Sequence, residues 1–134
     1  MDILDIHTHH EAPQPQGVVA LRLREGEETP VISSTQRYSV GIHPWDTAEE
    51  PSDELWTRVE AAAARPETVA IGESGVDLSP RGGPMFRQIQ IFRRHIELSE
   101  KLGKPLVIHD GKGHDIIIGC RRDLRPAQNW AIHG

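Results

Sequence analysis

Five short apolar runs in this chain each end on a histidine or a glutamate, and that repetition constrains the fold more than any other feature. Ile3-Leu4-Asp5-Ile6 leads into His7, Tyr38-Ser39-Val40-Gly41-Ile42 into His43, and Val69-Ala70-Ile71-Gly72 into Glu73. Leu106-Val107-Ile108 leads into His109 and Trp130-Ala131-Ile132 into His133. Short runs rich in Ile and Val read as buried strands. A sixth run, Val18 to Arg24, reads as a strand partly exposed at its end. The five ends lie 36, 30, 36 and 24 residues apart.

Helical patterns fall between several of these runs. Pro51-Ser52-Asp53-Glu54 opens one, with Ser52 as cap and acids in the first turn, and Leu55, Val59 and Ala62 or Ala63 follow at helical spacing. A second helix is expected from Pro84, with an apolar stripe of Met85, Ile89, Phe92, Ile96 and Leu102, and Gly103 ends it. His114 to Leu124 reads as a weaker third helix, because Ile116-Ile117-Ile118 is β-branched. Between Glu11 and Gln36 no amphipathic helix is legible. Strands alternating with helices imply βαβ units and a mainly parallel sheet. Units of this size suit a (β/α) barrel, where side chains at the C-terminal ends of different strands converge on one site. An open doubly wound sheet gives a similar period but has no need of a histidine at successive strand ends. Neither a Gly-x-Gly-x-x-Gly fingerprint nor a phosphate-binding loop is present.

At 134 residues the chain amounts to one domain. No apolar stretch approaches the ~18 residues a membrane span needs. The N-terminus has no basic region followed by an apolar one, so a cytoplasmic location is expected. The lone Cys120 excludes an internal disulfide framework and a zinc finger built on cysteine pairs. Net charge is -5, unlike a basic nucleic-acid module. The charge is uneven: residues 1–80 carry 5 Lys+Arg against 15 Asp+Glu, and residues 81–134 carry 10 against 5. Solvated helix faces explain this; a basic rim beside an acidic, cation-binding pocket is the alternative.

His7-Thr8-His9 is the sharpest local signal, since residues i and i+2 of a strand share a face and two imidazoles there grip a divalent ion. Glu73 after an apolar strand is either paired with a base or bound to metal, because an unpaired buried charge is expensive. Were two ions to share the pocket, Glu73 is the natural bridge, with His109 and His133 as further ligands. His43 is read as a substrate contact or a structural residue. Asp77 is read as orienting a ligand or as a turn residue. Asp5 shares the parity of His7 and is expected to be buried and hydrogen-bonded, and Lys112 either reaches an anionic substrate or lies in a surface loop. His10, His95 and His114 are given no role, and Cys120 is read as packing.

Asp5-Ile6-His7-Thr8-His9, Gly41-Ile42-His43-Pro44-Trp45, Ala70-Ile71-Gly72-Glu73-Ser74-Gly75-Val76-Asp77, Phe86 with Gln90, Gly103-Lys104-Pro105-Leu106-Val107-Ile108-His109 and Ile132-His133-Gly134 follow one another along the chain. In that order they resemble the TatD-like metal-dependent deoxyribonucleases of the amidohydrolase superfamily. The resemblance implies a TIM-type (β/α) barrel, of which residues 1–134 would be a single incomplete domain: an N-terminal portion with about five or six parallel strands, since a full barrel takes ~250 residues. It implies two divalent metal ions, one held by His7, His9 and Glu73, the other by Glu73, His109 and His133. It makes Glu73 and His43 the catalytic candidates and DNA the substrate. The family's last ligand, an aspartate at a later strand end, has no counterpart here, and Asp110-Gly111 replaces the usual small or thiol residue followed by Arg. Histidine and carboxylate ligands suit Zn, Mn, Fe or Co; Mg prefers more oxygen donors.

The expected function is therefore metal-dependent hydrolysis of DNA phosphodiester bonds. Two alternatives stand beside it: an amidohydrolase-type enzyme acting on a small amide or ester, which the net charge favours, and a truncated chain that binds metal without turnover. An open barrel edge is also expected to invite self-association.

Overall fold

A computed structural model describes the backbone of residues 5–8 and 17–133, and the side chains of residues 17–132. Six strands form one sheet in sequence order: β1 (Asp5–Thr8), β2 (Gly17–Arg22), β3 (Arg37–Gly41), β4 (Thr68–Asp77), β5 (Leu106–Gly111) and β6 (Trp130–His133). Every neighbouring pair is parallel. Three helices carry the crossovers: α1 (Asp53–Ala63), α2 (Met85–Leu102) and α3 (His114–Leu124). No helix occurs between β2 and β3, where residues 23–36 form turns and irregular backbone. No helix among the described residues is long and apolar enough to cross a membrane.

The expected helix signals act locally. Ser52 caps α1 by accepting the Leu55 N–H at 3.0 Å, and Gly103 ends α2 in the left-handed conformation at φ 66°. Leu55, Trp56, Val59, Ala62 and Ala63 turn the buried face of α1 toward the sheet. That face joins Tyr38, Val40, Ile42, Leu106 and Ile108 in a single core between sheet and helices. Alternation along the strands then sends Gly41 and His43, and Val107 and His109, to the opposite face. α3 forms despite its β-branched run, with Ile117 and Cys120 buried.

Two expectations change. The apolar stripe of α2 does not run through Met85, which is 50% exposed. Its buried face is Gln88, Ile91, Phe92, His95, Ile96, Leu98 and Ser99, so three polar residues take places that a hydrophobic pattern assigns elsewhere. Each makes a specific bond: Gln88 to the Asp77 backbone, His95 to Ile42, and Ser99 to the Lys104 carbonyl. His95 is fully buried; its Nε2 accepts the Ile42 N–H at 3.0 Å, and its Nδ1 meets the Ile91 carbonyl at 2.8 Å. A histidine read as idle thus ties α2 to the strand end that carries His43.

The second change concerns β4, which does not stop at Glu73 but runs on to Asp77. Glycines permit it. At Gly72 (φ 125°) a Cβ would lie 2.2 Å from the Val107 carbonyl oxygen, and at Gly75 (φ 148°) 2.1 Å from that of His109. Only a residue without Cβ lets β4 and β5 approach so closely while the register shifts between Ile71 and Ser74.

Candidate metal centre

His43, just beyond β3, comes together with Glu73 from within β4 and His109 from β5. One ligand atom from each lies within 4.8 Å of the others. Glu73 is 2% exposed and His43 3%. His109 Nδ1 meets Glu73 Oε1 at 3.0 Å, and His43 Nε2 meets the same oxygen at 3.4 Å.

His43 opens a short 3-10 turn, Pro44–Asp46, and its Nδ1 accepts the Trp45 N–H at 3.1 Å. With Nδ1 used as an acceptor, the neutral ring carries its proton on Nε2, facing Glu73. His43 is thereby arranged as a proton donor; ligating metal through Nε2 would require moving that proton to Nδ1 and giving up the Trp45 bond.

His109 is gripped from two sides, with Nε2 2.8 Å from Asp77 Oδ2. Hydrogen bonding to Glu73, followed by that to Asp77, outweighs burial and raises the pKa of the ring above the ordinary histidine value. Asp77 Oδ2 also accepts the Trp45 indole N–H at 2.6 Å, and Oδ1 accepts the Ser79 N–H at 2.8 Å. Burial pushes the Asp77 carboxyl up, but the bonds from Ser79, Trp45 and His109 outweigh it and hold the group well below the usual carboxylate range. Gln88 fixes the strand end by accepting the Asp77 N–H at 2.7 Å and donating to the Asp77 carbonyl at 3.0 Å. Asp77, read from sequence as orienting a ligand or as a turn residue, is the last residue of a strand and is bonded directly to His109.

The other candidates are placed less fully. His7 lies in β1 and His133 in β6, where the register sets His133 opposite His109. The side chains of Asp5, His7 and His133 lie outside the described residues, as does all of His9. Lys112 is exposed just beyond β5, with φ 61°. Sequence reasoning gave no role to Trp45 or Gln88. The available signal was polar spacing: Gln88, His95 and Ser99 share a helical face with Phe92 and Ile96.

The family model described as TatD related DNase matches residues 18–134. The chain belongs to the TatD family. It is 34% identical over 94 residues to a 3'-5' ssDNA/RNA exonuclease TatD of Erwinia billingiae, covering 70% of this chain and 36% of that protein. It is also 34% identical over 94 residues to the "Uncharacterized metal-dependent hydrolase TatD" of Mycobacterium tuberculosis, covering 66% and 35%. The crystal structure of the TatD homologue YJJV from Escherichia coli K12 superposes with a TM-score of 0.72 at 20% identity, over 90% of this chain and 48% of that one. That likeness fixes the fold: the six parallel strands are part of a TIM-type (β/α) barrel. The chain spans about a third of the length of the curated TatD relatives it matches.

Within this TatD chain the Glu73 carboxylate and the His109 imidazole are a donor pair that fits a divalent ion, with His43 Nε2–H beside them. Asp77 accepting the His109 Nε2–H would leave Nδ1 as the ligand atom, the carboxylate–histidine–metal arrangement. Asp77→Asn is expected to weaken metal binding by about 10–100-fold while leaving the fold intact. Titration calorimetry with Mn²⁺ checks this, and unchanged affinity would remove Asp77 from the site.

Proposed function

We propose that this chain carries metal-binding and proton-donating residues of a divalent-metal-dependent hydrolase that cleaves phosphodiester bonds of single-stranded nucleic acid. The observation behind this reading is the convergence of buried His43 and Glu73 with the half-buried His109, one ligand atom from each within 4.8 Å of the others. Glu73 and His109 are the proposed ligands in the described region, with His7, His9 and His133 completing a two-ion pocket. A bound divalent ion lowers the pKa of a coordinated water toward ~7 and neutralises charge on phosphate oxygens.

The chain's own groups do the rest. Glu73 supplies the negative charge that balances a cation. Asp77 fixes the ring of His109. His43 presents its Nε2–H to an oxygen that gains charge as the ester bond breaks. Trp45, tilted against His43 at 4.7 Å and edge-on to His109 at 5.7 Å between ring centres, screens both rings from water. Substrate class rests on the relatives, several of which are named 3'-5' ssDNA/RNA exonucleases.

The test supplies purified chain with Mn²⁺ and a labelled oligothymidylate, beside a small amide and a small ester. Progressive shortening of the strand from its 3' end, abolished by EDTA, is expected. Cleavage of the amide or ester with the strand left intact would replace this reading with the amidohydrolase one.

A further inference from the structure

Trp45 also organises positive charge at the mouth of the site. The Arg22 guanidinium lies 5.6 Å from the centre of the Trp45 ring and that of Arg81 4.8 Å. Their partners separate them. Arg22 is held by Asp46, with bonds of 3.1 and 2.7 Å to its two carboxylate oxygens, and is neutralised there. Arg87, the next arginine along, donates to the Thr47 and Ala48 carbonyls and faces Glu50, pinning α2 to the turn after β3. Arg81 is exposed and has no carboxylate partner among the described residues.

Its backbone is nonetheless fixed. The Arg81 N–H donates to Ser79 Oγ at 3.3 Å, and the Ser79 N–H is bonded to Asp77. One carboxylate, Asp77, therefore positions both partners of the stack: the indole through Trp45 Nε1, and the turn bearing Arg81 through Ser79. A guanidinium stacked on an aromatic ring keeps its N–H edges free in a planar fork suited to phosphate. Trp45 thus adjoins both that fork and the rings of His43 and His109.

We propose that Arg81, positioned by stacking on Trp45, is a phosphate clamp that holds a backbone phosphate of a single-stranded nucleic acid next to the one being cleaved. The inference rests on the hydrolase reading for its substrate, but it concerns binding and is tested apart from turnover. Arg81 faces solvent and supports no other contact with a carboxylate in the described structure, so its variants leave the fold undisturbed.

Binding is measured by anisotropy with a labelled, hydrolysis-resistant phosphorothioate oligothymidylate in Mn²⁺ at several salt concentrations. Hydrolysis of the ordinary strand is measured separately. Arg81→Gln is expected to weaken binding about tenfold and to make the plot of log affinity against log salt shallower by ~0.7, the loss of one phosphate contact on a single strand. Arg81→Lys should restore the slope without the full affinity, since charge returns but the fork does not. In turnover the Arg81→Gln loss should fall on KM far more than on kcat.

Affinity and slope equal to wild type in Arg81→Gln overturn the clamp, as does a wild-type chain that does not bind the strand. If wild type cleaves the ordinary strand while Arg81→Gln matches it throughout, the clamp fails and the hydrolase reading stands. If wild type binds through Arg81 yet cleaves no phosphodiester bond, the clamp stands and the hydrolase reading fails.

Discussion

Glu73→Gln should abolish metal binding and, with it, metal-dependent hydrolysis. Glu73 is the acidic member of the His43–Glu73–His109 cluster, and its Oε1 is the atom on which both histidines converge. The substitution keeps the volume, the buried position and an oxygen able to accept from His109, so it removes charge and little else. The His109 imidazole beside a neutral amide makes a poor seat for a divalent ion, whose charge in a buried pocket needs a carboxylate to balance it. We expect Mn²⁺ affinity to fall at least ~100-fold and strand hydrolysis at least ~10³-fold, since metal ions supply several kcal/mol of charge stabilisation and each 1.36 kcal/mol is tenfold in rate. Far-ultraviolet circular dichroism should be unchanged. Wild-type metal affinity in the variant would show that the ion, if one binds, sits elsewhere.

Acid should unfold the metal-free chain in a window set by His95. Burial, with a smaller contribution from Arg94, lowers its pKa to about 4 against the ordinary 6.5, although the bond to the Ile91 carbonyl opposes the shift. The neutral ring is the one that accepts the Ile42 N–H. Above pH 6.5 His95 is neutral in both folded and unfolded chains and costs nothing. As the pH falls from 6.5 toward 4, the unfolded chain takes up a proton that the folded chain refuses, and stability drops by up to about 3 kcal/mol. His109 acts in the opposite sense. Its raised pKa means that its contribution is present below pH 6.5 and is lost as pH rises through the folded value.

Urea midpoints measured in EDTA at a series of pH values separate the two when wild type is compared with His95→Gln, which keeps an acceptor for Ile42 but does not titrate. The difference between the curves should grow between pH 6.5 and 4. Parallel curves would mean that His95 is not held neutral. Because His95 links α2 to the end of β3, loss of this bond should also loosen the position of His43.

Much of the architecture was legible because strands and helices announce themselves through local periodicity. The apolar runs before His43 and His109 are strands β3 and β5, and Ser52 and Gly103 punctuate α1 and α2 as their chemistry demands. That successive apolar runs lead into histidine or glutamate was equally a property of the sequence, and it favoured a barrel over an open sheet. Family membership was legible too, because the motifs lie along the chain in order and the family model spans residues 18–134.

Tertiary structure decided what those side chains touch. Nothing near Glu73 in the sequence says that β4 continues to Asp77; that depends on Gly72 and Gly75 lying against the backbone of β5, whose nearest contacts are more than 30 residues away. The polar face of α2 was misread for the same reason. Gln88 and His95 are buried because the fold brings them their partners, the Asp77 backbone at the end of β4 and the Ile42 N–H from 53 residues away, and burial of a polar group is affordable only where such a partner waits. The stack of Arg81 on Trp45 likewise joins two loops that only the sheet brings together. Local pattern fixes which residues can form strands and helices, whereas hydrogen-bond partners and close backbone contacts are set by long-range geometry that no window of sequence contains.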